Sequence, residues 1–270
     1  SPLQPKSQEF LDDTRIRAII PTLNLLTKSK VVILTHQSRP GKKDFTNTLG
    51  HSRELGRVLG RNVKWVEDIH GDKAMNAIED LKDGEILMLN NVRMDPEEVS
   101  VKGSFDDMAE TKIIQRLSSV VDIFVNDAFA CAHRNTPSIV GFTHTIPCVA
   151  GELMMREIDA LDVALENPRR PCIAVVGGIK VEDSISIADN MLRKGIADQI
   201  WATGGVANLL IEYSGVNIGQ TNHDFLVNEL GDSYHKTVET AKAMLNDFHD
   251  KIILPTDLAA NVEDNRVDLT

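Results

Sequence analysis

A chain of 270 residues has room for one large or two ordinary domains, and its 42% hydrophobic and 26% charged residues are those of a globular protein. Its formal net charge of -11 speaks against a general nucleic-acid binder, which carries a basic face. No stretch is apolar for the length of a bilayer, and the opening ten residues are polar with proline rather than signal-like, so no membrane partner and a cytoplasmic location are expected.

Asp12, Asp13 and Thr14 offer a helix N-cap ahead of a segment running through Ile16, Ile19, Ile20 and Leu25 or Leu26. Arg15 and Arg17 fall in its first turn, where cations oppose the helix dipole. An anion held there would relieve the conflict, although the motif alone reads better as two arginines reaching into water. A strand at 31–34 follows, then a loop with His36, Arg39 and Pro40. Further strands are expected at 63–66, 86–89 and 123–125. Helical segments between them are marked by Leu55, Val58 and Leu59, by Ala74, Ile78 and Leu81, and by Ala109, Ile113 and Leu117. This alternation predicts βαβ units and parallel sheets.

Residues 151–166 place Met154, Ile158, Leu161 and Leu165 on one helical face. Asn167 and Pro168 end that helix, because the residue before proline is pushed out of the α region. Strands at 172–176, 199–203 and 251–254 form a second series. The expected fold is α/β, with two Rossmann-like parallel-sheet lobes. Residues 1–150 make the first, a helix at 151–167 joins them, and residues 168–270 make the second. The three cysteines, Cys131, Cys148 and Cys172, lack metal-ligand spacing and are expected to be buried reduced thiols. Cys131 beside His133 is weak evidence for a catalytic thiol, and core packing is the preferred reading.

Ligands of open α/β folds bind beyond the carboxyl ends of the strands. Arg39 follows the strand at 31–34, Arg93 the strand at 86–89, and His133 and Arg134 the strand at 123–125. If those strands share one sheet, their loops share one edge. A guanidinium fork engages phosphate or carboxylate, and the imidazole of His36 adds a donor. Singly, each is an ordinary loop residue. Recurrence at equivalent strand ends in an acidic chain points to a site for a small anion. In the second series Gly177 and Gly178 precede Lys180 and a helix at about 183–192. Glycine lets the backbone approach phosphate and lysine adds a mobile charge, but the spacing is neither Walker nor GxGxxG. A tight strand-to-helix connection explains it equally well. Gly204 and Gly205 read as a tight turn or as the floor of a flat-base pocket, and two glycine pairs at adjacent strand ends suit a nucleotide.

Seven stretches occur in order: DDTRIRAIIPT from Asp12, VVILTHQSRPG from Val31, LNNVRMDPEE from Leu89, VNDAFACAHR from Val125, VVGGIKVEDS from Val175, ATGGVAN from Ala202 and LPTD from Leu254. With them the chain resembles the phosphoglycerate kinase family, its archaeal branch in particular. The resemblance implies a phosphotransferase with a carboxyl group as acceptor. It moves a phosphoryl group reversibly between 1,3-bisphosphoglycerate and ADP, giving 3-phosphoglycerate and ATP in glycolysis and gluconeogenesis. It implies that Arg15 stabilises the transferring group, and that His36, Arg39, Arg93 and Arg134 hold the glycerate and its phosphate. Lys180 is implied at the phosphoryl group from the nucleotide side, Gly177 and Gly178 near the phosphates, and Gly204 and Gly205 near adenine.

Two departures stand out. Ser184 occupies a position that is often a nucleotide-contacting lysine in the family. The chain also starts after the family's opening RVDxN-type strand and stops before the segments supplying a ribose-contacting glutamate and a magnesium-binding aspartate. The second lobe is therefore expected to be incomplete, no metal ligand is assigned, and Mg2+ is expected to depend on the absent segment. The alternative is a non-catalytic phosphoglycerate- or anion-binding fragment. A dehydrogenase is a third reading, without a convincing GxGxxG and acidic ribose anchor.

Overall fold

A proline divides the first helical segment in two. The computed structural model describes residues 3–4, 9–166, 168–262 and 265–269. It has helix α1 at Thr14–Ala18 and helix α2 at Ile20–Leu25, where the apolar spacing suggests one helix. Pro21 lies in the first turn of α2. It has no N–H to give and its ring would clash with the preceding turn, so a new helix starts instead of the old one continuing. Asp12 accepts the backbone N–H of Thr14 at 2.8 Å. Arg17 folds back onto Asp13 at 2.7 Å, so one of the two cations of this turn already has a carboxylate.

The chain divides into two compact units, Ser1–Asp159 and Ala160–Thr270. In the first, strands β1 (Val31–Ile33), β2 (Val63–Trp65) and β3 (Ile86–Met88) form a parallel sheet in the order β1-β3-β2. Helices α3 (Leu49–Leu59) and α4 (Asp72–Glu79) are the crossovers. Gly60 stops α3 in the left-handed region, φ 69°, and donates its N–H to the Gly56 carbonyl, which glycine does without steric penalty. Asp68 receives the N–H groups of Gly71 and Ala74 at the start of α4, satisfying donors that a helix leaves open. The sheet is covered on both faces. Ile86, Met88 and Val63 pack with Ile16, Leu23 and Leu55 on one side. Leu87 packs with Ile78, Ile113, Ile114, Leu117 and Phe142 on the other. Each fully buried aliphatic side chain of this kind stabilises the unit by about 1.5–3 kcal/mol.

Short helices α5 (Pro96–Ser100), α6 (Phe105–Ala109) and α7 (Lys112–Ser118) follow. Next come β4 (Phe124–Asn126), α8 (Pro137–Val140) and β5 (Cys148–Ala150). Here the structure corrects the expectation of one shared sheet edge. β4 pairs in parallel with β5, Phe124 opposite Cys148, and among the described residues neither joins β1-β3-β2. The expectation of three buried thiols also fails in part: all three cysteines are free, but Cys148 is exposed on β5 and Cys131 and Cys172 are half-buried. Helix α9 spans Glu152–Leu165, and the division between the units falls within it. Asn167, expected at its end, lies outside the described residues.

The second unit has a parallel sheet β6-β7-β8 formed by Ile173–Val176, Gln199–Ala202 and Ile252–Ile253. Helices α10 (Val181–Arg193), α11 (Gly204–Tyr213), α12 (Gln220–Leu230) and α13 (Tyr234–Phe248) accompany it. Val181, Ile185, Ala188 and Leu192 make one buried stripe along α10 and join Ile200, Leu209, Leu210, Leu226 and Met244 in a single core. Ala174, Val176, Ile200 and Ala202 face that core. Val175, Trp201 and Ile253 lie in one register row and are exposed among the described residues. An antiparallel hairpin, β9 (Leu258–Val262) with β10 (Asn265–Leu269), ends the described chain. It has no counterpart in the expected strands.

Candidate anion and nucleotide sites

Asn91 ties together two of the loops that carry candidate residues. It is fully buried. Its side-chain oxygen accepts the N–H of Gln37 at 3.2 Å and that of Arg93 at 3.2 Å, and its amide nitrogen donates to the carbonyls of Gln37 at 2.9 Å and Thr46 at 2.7 Å. The loop after β1 is thereby fixed to the turn after β3. Ser38 within it has φ 58°, an uncommon conformation for a residue with a Cβ, and its hydroxyl donates to Asp44 at 2.6 Å. The Arg93 guanidinium donates to the Ser38 carbonyl.

Although β4 stands outside the three-stranded sheet, its loop converges on the same place. Arg134 Nη1 lies 3.0 Å from His36 Nε2, and Cys131 Sγ lies 3.8 Å from the same nitrogen. The thiol's histidine neighbour is therefore His36. His133, the sequence neighbour, is exposed. Burial and then the charges of Arg93 and Arg134, with a further contribution from Arg15, push His36 down to about 4. At neutral pH the imidazole is uncharged, so Nε2 accepts from Arg134. Arg93 is itself lowered, by burial first and then by Arg134 and Arg39. Four arginines thus act on one small volume around a neutral histidine. Arg15 and Arg39 are exposed, and among the described residues neither side chain has a hydrogen-bond or ion-pair partner. Unneutralised cations gathered around one histidine raise the local potential for an anion.

The glycine pairs of the second unit have a structural cause of their own. Gly178 and Gly204 hold φ 99° and 55°, where a Cβ is strained. A Cβ on Gly205 would lie 2.9 Å from the Gly178 carbonyl oxygen and 3.0 Å from Val181 Cγ2. The Gly205 N–H donates to the Gly178 carbonyl at 3.1 Å. The connections after β6 and β7 therefore stack backbone on backbone, and Gly204 and Gly205 form the first turn of α11 rather than a separate turn. α10 starts at Val181, two residues earlier than its expected start. Lys180 stands exposed at its cap position, and its ammonium has no hydrogen-bond or ion-pair partner among the described residues. The Ser184 hydroxyl turns back toward the Gly177 carbonyl at 3.5 Å. Two adjacent helix N-termini and one free lysine have the chemistry to receive phosphate through the N–H groups left beside those of Val181 and Gly205, which already donate to Ile179 and Gly178. Among the described residues no three His, Cys, Asp or Glu side chains are grouped to hold a metal ion.

Parallel sheets with helical crossovers in both units define an α/β protein of Rossmann-like build. The family model described as phosphoglycerate kinase matches residues 1–268. The phosphoglycerate kinase of Methanobacterium bryantii is 43% identical over 99% of this chain and 65% of its own length. That of Methanosarcina mazei is 45% identical over 96% of this chain and 61% of its own length. The crystal structure of phosphoglycerate kinase from Pyrococcus horikoshii OT3 superposes with a TM-score of 0.86 at 38% identity, covering 100% of this chain and 65% of that one. The chain belongs to the phosphoglycerate kinase family, as its ordered motifs suggest, and it spans about 65% of the length of such relatives.

Proposed function

We propose that the protein acts as a phosphoglycerate kinase, moving a phosphoryl group reversibly between 1,3-bisphosphoglycerate and ADP in glycolysis and gluconeogenesis. The observation that carries the reading is the convergence of Arg93 and Arg134 on neutral His36, with Arg39 and Arg15 close enough to act on the same groups. In this proposal those five residues hold the phosphate and carboxylate of 3-phosphoglycerate by charge-assisted bonds. Arg15 also stabilises the transferring phosphoryl group. The N-terminal turns of α10 and α11 receive the nucleotide, with Gly177 and Gly178 at the phosphates and Gly204 and Gly205 near adenine. Lys180 meets the charge that develops during transfer. Phosphoryl transfer needs positioning and charge stabilisation more than covalent help, and this set of residues offers both.

Magnesium enters as the counter-ion of the nucleotide. None of the grouped side chains described above is assigned to it. A cytoplasmic location is part of the proposal, supported by the reaction and by the lack, among the described residues, of a helix long and apolar enough to cross a membrane. Calorimetric titration with 3-phosphoglycerate and with magnesium ATP, followed by a coupled assay of ADP formation on the same protein, tests it. Saturable binding of both ligands is expected. A protein that binds neither overturns the reading, and one that binds 3-phosphoglycerate without turnover retains only the anion site.

A further inference from the structure

We infer that Asn91 and Glu98 are positioning residues, and that the segment 90–98 is the anchor from which both loops of the anion site hang. This rests on the phosphoglycerate reading of that site and names side chains that do not themselves reach it. Asn91 has two donors and two acceptor directions, and all four are used on backbone: Gln37 N–H and carbonyl, Thr46 carbonyl and Arg93 N–H. Gln37 lies between His36 and Ser38, and Ser38 supplies the carbonyl that the Arg93 guanidinium grips. One fully buried amide therefore sets the register of His36 and Arg39 against Arg93.

Glu98 does the same for the other loop. It is buried, at 4% exposure, and accepts the N–H and the hydroxyl of Ser138 at 2.9 and 2.7 Å. Those bonds fix the start of α8, three residues after Arg134. Burial raises the Glu98 carboxyl above its ordinary range, while the Ser138 bonds and the charge of Arg93 oppose the rise. A buried carboxylate kept beside an arginine cluster, yet spent on a loop rather than on the arginines, leaves the cations free for a ligand. Small displacements of guanidinium groups from a bound anion forfeit much of their attraction.

Four variants test this: Asn91→Ala, Asn91→Asp, Glu98→Ala and Glu98→Gln. Asn91→Asp keeps the size of the side chain but turns an acceptor toward the carbonyls of Gln37 and Thr46. Glu98→Gln keeps an acceptor for the Ser138 N–H. The two alanine variants and Asn91→Asp are expected to weaken 3-phosphoglycerate binding roughly tenfold or more with nucleotide affinity unchanged, and Glu98→Gln to stay close to wild type. In the ligand-free protein, amide exchange should lose protection at Gln37 and Arg93 in Asn91→Ala, which removes their acceptor, and at Ser138 in Glu98→Ala, with β3 still protected. Equal loss of both ligands, or unchanged 3-phosphoglycerate affinity in folded variants, overturns the inference. So does a Glu98→Gln protein as weak as Glu98→Ala. A wild-type protein that does not bind 3-phosphoglycerate sinks the substrate reading. The exchange data then decide the anchors, and unchanged protection overturns them. If Asn91→Ala does not fold, Asn91→Asp and Glu98→Ala carry the test.

Discussion

Replacing Arg134 with alanine should weaken the binding of 3-phosphoglycerate while leaving the ligand-free protein as stable as before, or more so. The Arg134 guanidinium donates to a neutral imidazole at 3.0 Å, and its charge lowers both His36 and Arg93. Without ligand it is a cation held among cations, so its removal relieves repulsion. With ligand it contributes charge-assisted bonds worth about 1.5–3 kcal/mol, which converts to roughly 10–150-fold in Kd. Titration calorimetry with 3-phosphoglycerate and with ATP measures the binding, and thermal unfolding without ligand measures the stability. The loss should be confined to 3-phosphoglycerate and should shrink at high salt, as screening weakens the wild-type attraction. Proton NMR should find His36 titrating above its wild-type value of about 4, because one of the charges that depress it is gone. A lower Tm with an unchanged Kd would refute the argument and make Arg134 a structural residue.

Lys180→Ala should lower turnover far more than it weakens either substrate, since a charge that meets the developing transition state leaves ground-state binding nearly untouched; steady-state rates paired with direct binding measurements check it. Burial pushes His51 down to about 4 from an ordinary 6.5, so the unfolded state binds the extra proton between those values. The His51 contribution is fully present above pH 6.5 and is lost as pH falls toward 4, to the extent of about 3 kcal/mol at most. His51→Gln should flatten that part of the acid-denaturation curve, measured by chemical unfolding across the window. Gly205→Ala puts a Cβ 2.9 Å from the Gly178 carbonyl oxygen, which the backbone must move to accommodate; a loss of about 1–3 kcal/mol together with weaker ATP binding is expected from unfolding and titration.

The strands were legible because β-branched runs such as Val31–Ile33 and Ile173–Val176 are short, apolar and bounded by polar loops. Arginines at their carboxyl ends were legible for the same reason, since the rule needs only the order of elements. β5 was missed: Cys148–Ala150 is three residues long, exposed throughout, and carries one β-branched side chain. That omission hid the separate pairing of β4. The Pro21 break left a local signal, but apolar spacing continues across it and outweighed the proline. Asn91 and Glu98 could not be separated from ordinary loop and helix polar residues, because their role lies in partners 54 and 40 positions away. The glycine pairs show the opposite limit. Their sequence suggested room for phosphate, whereas Gly205 against Gly178 makes close packing of two loops a sufficient cause.

What sets the cations of the site together is convergence on one histidine with neutral partners or none. Several arginines elsewhere meet carboxylates: Arg17 meets Asp13, Arg57 meets Glu54, Arg116 meets Asp72 and Arg193 meets Asp189, while Arg61 donates to the Gly84 carbonyl. In a chain with a net charge of -11 carboxylates are plentiful, so an arginine without one is not explained by scarcity. Arg93 donates instead to a carbonyl and Arg134 to a neutral imidazole. Such neutral partners orient a guanidinium without cancelling its charge. Glu98, the carboxylate with an electrostatic pull on Arg93, is occupied by Ser138. The cluster is thus rigid and unneutralised together, and repulsion within it opposes folding unless an anion enters. Pre-organised charge of this kind costs little rearrangement on binding. An affinity that falls with salt, in a protein whose ligand-free stability rises with salt, would be its combined signature.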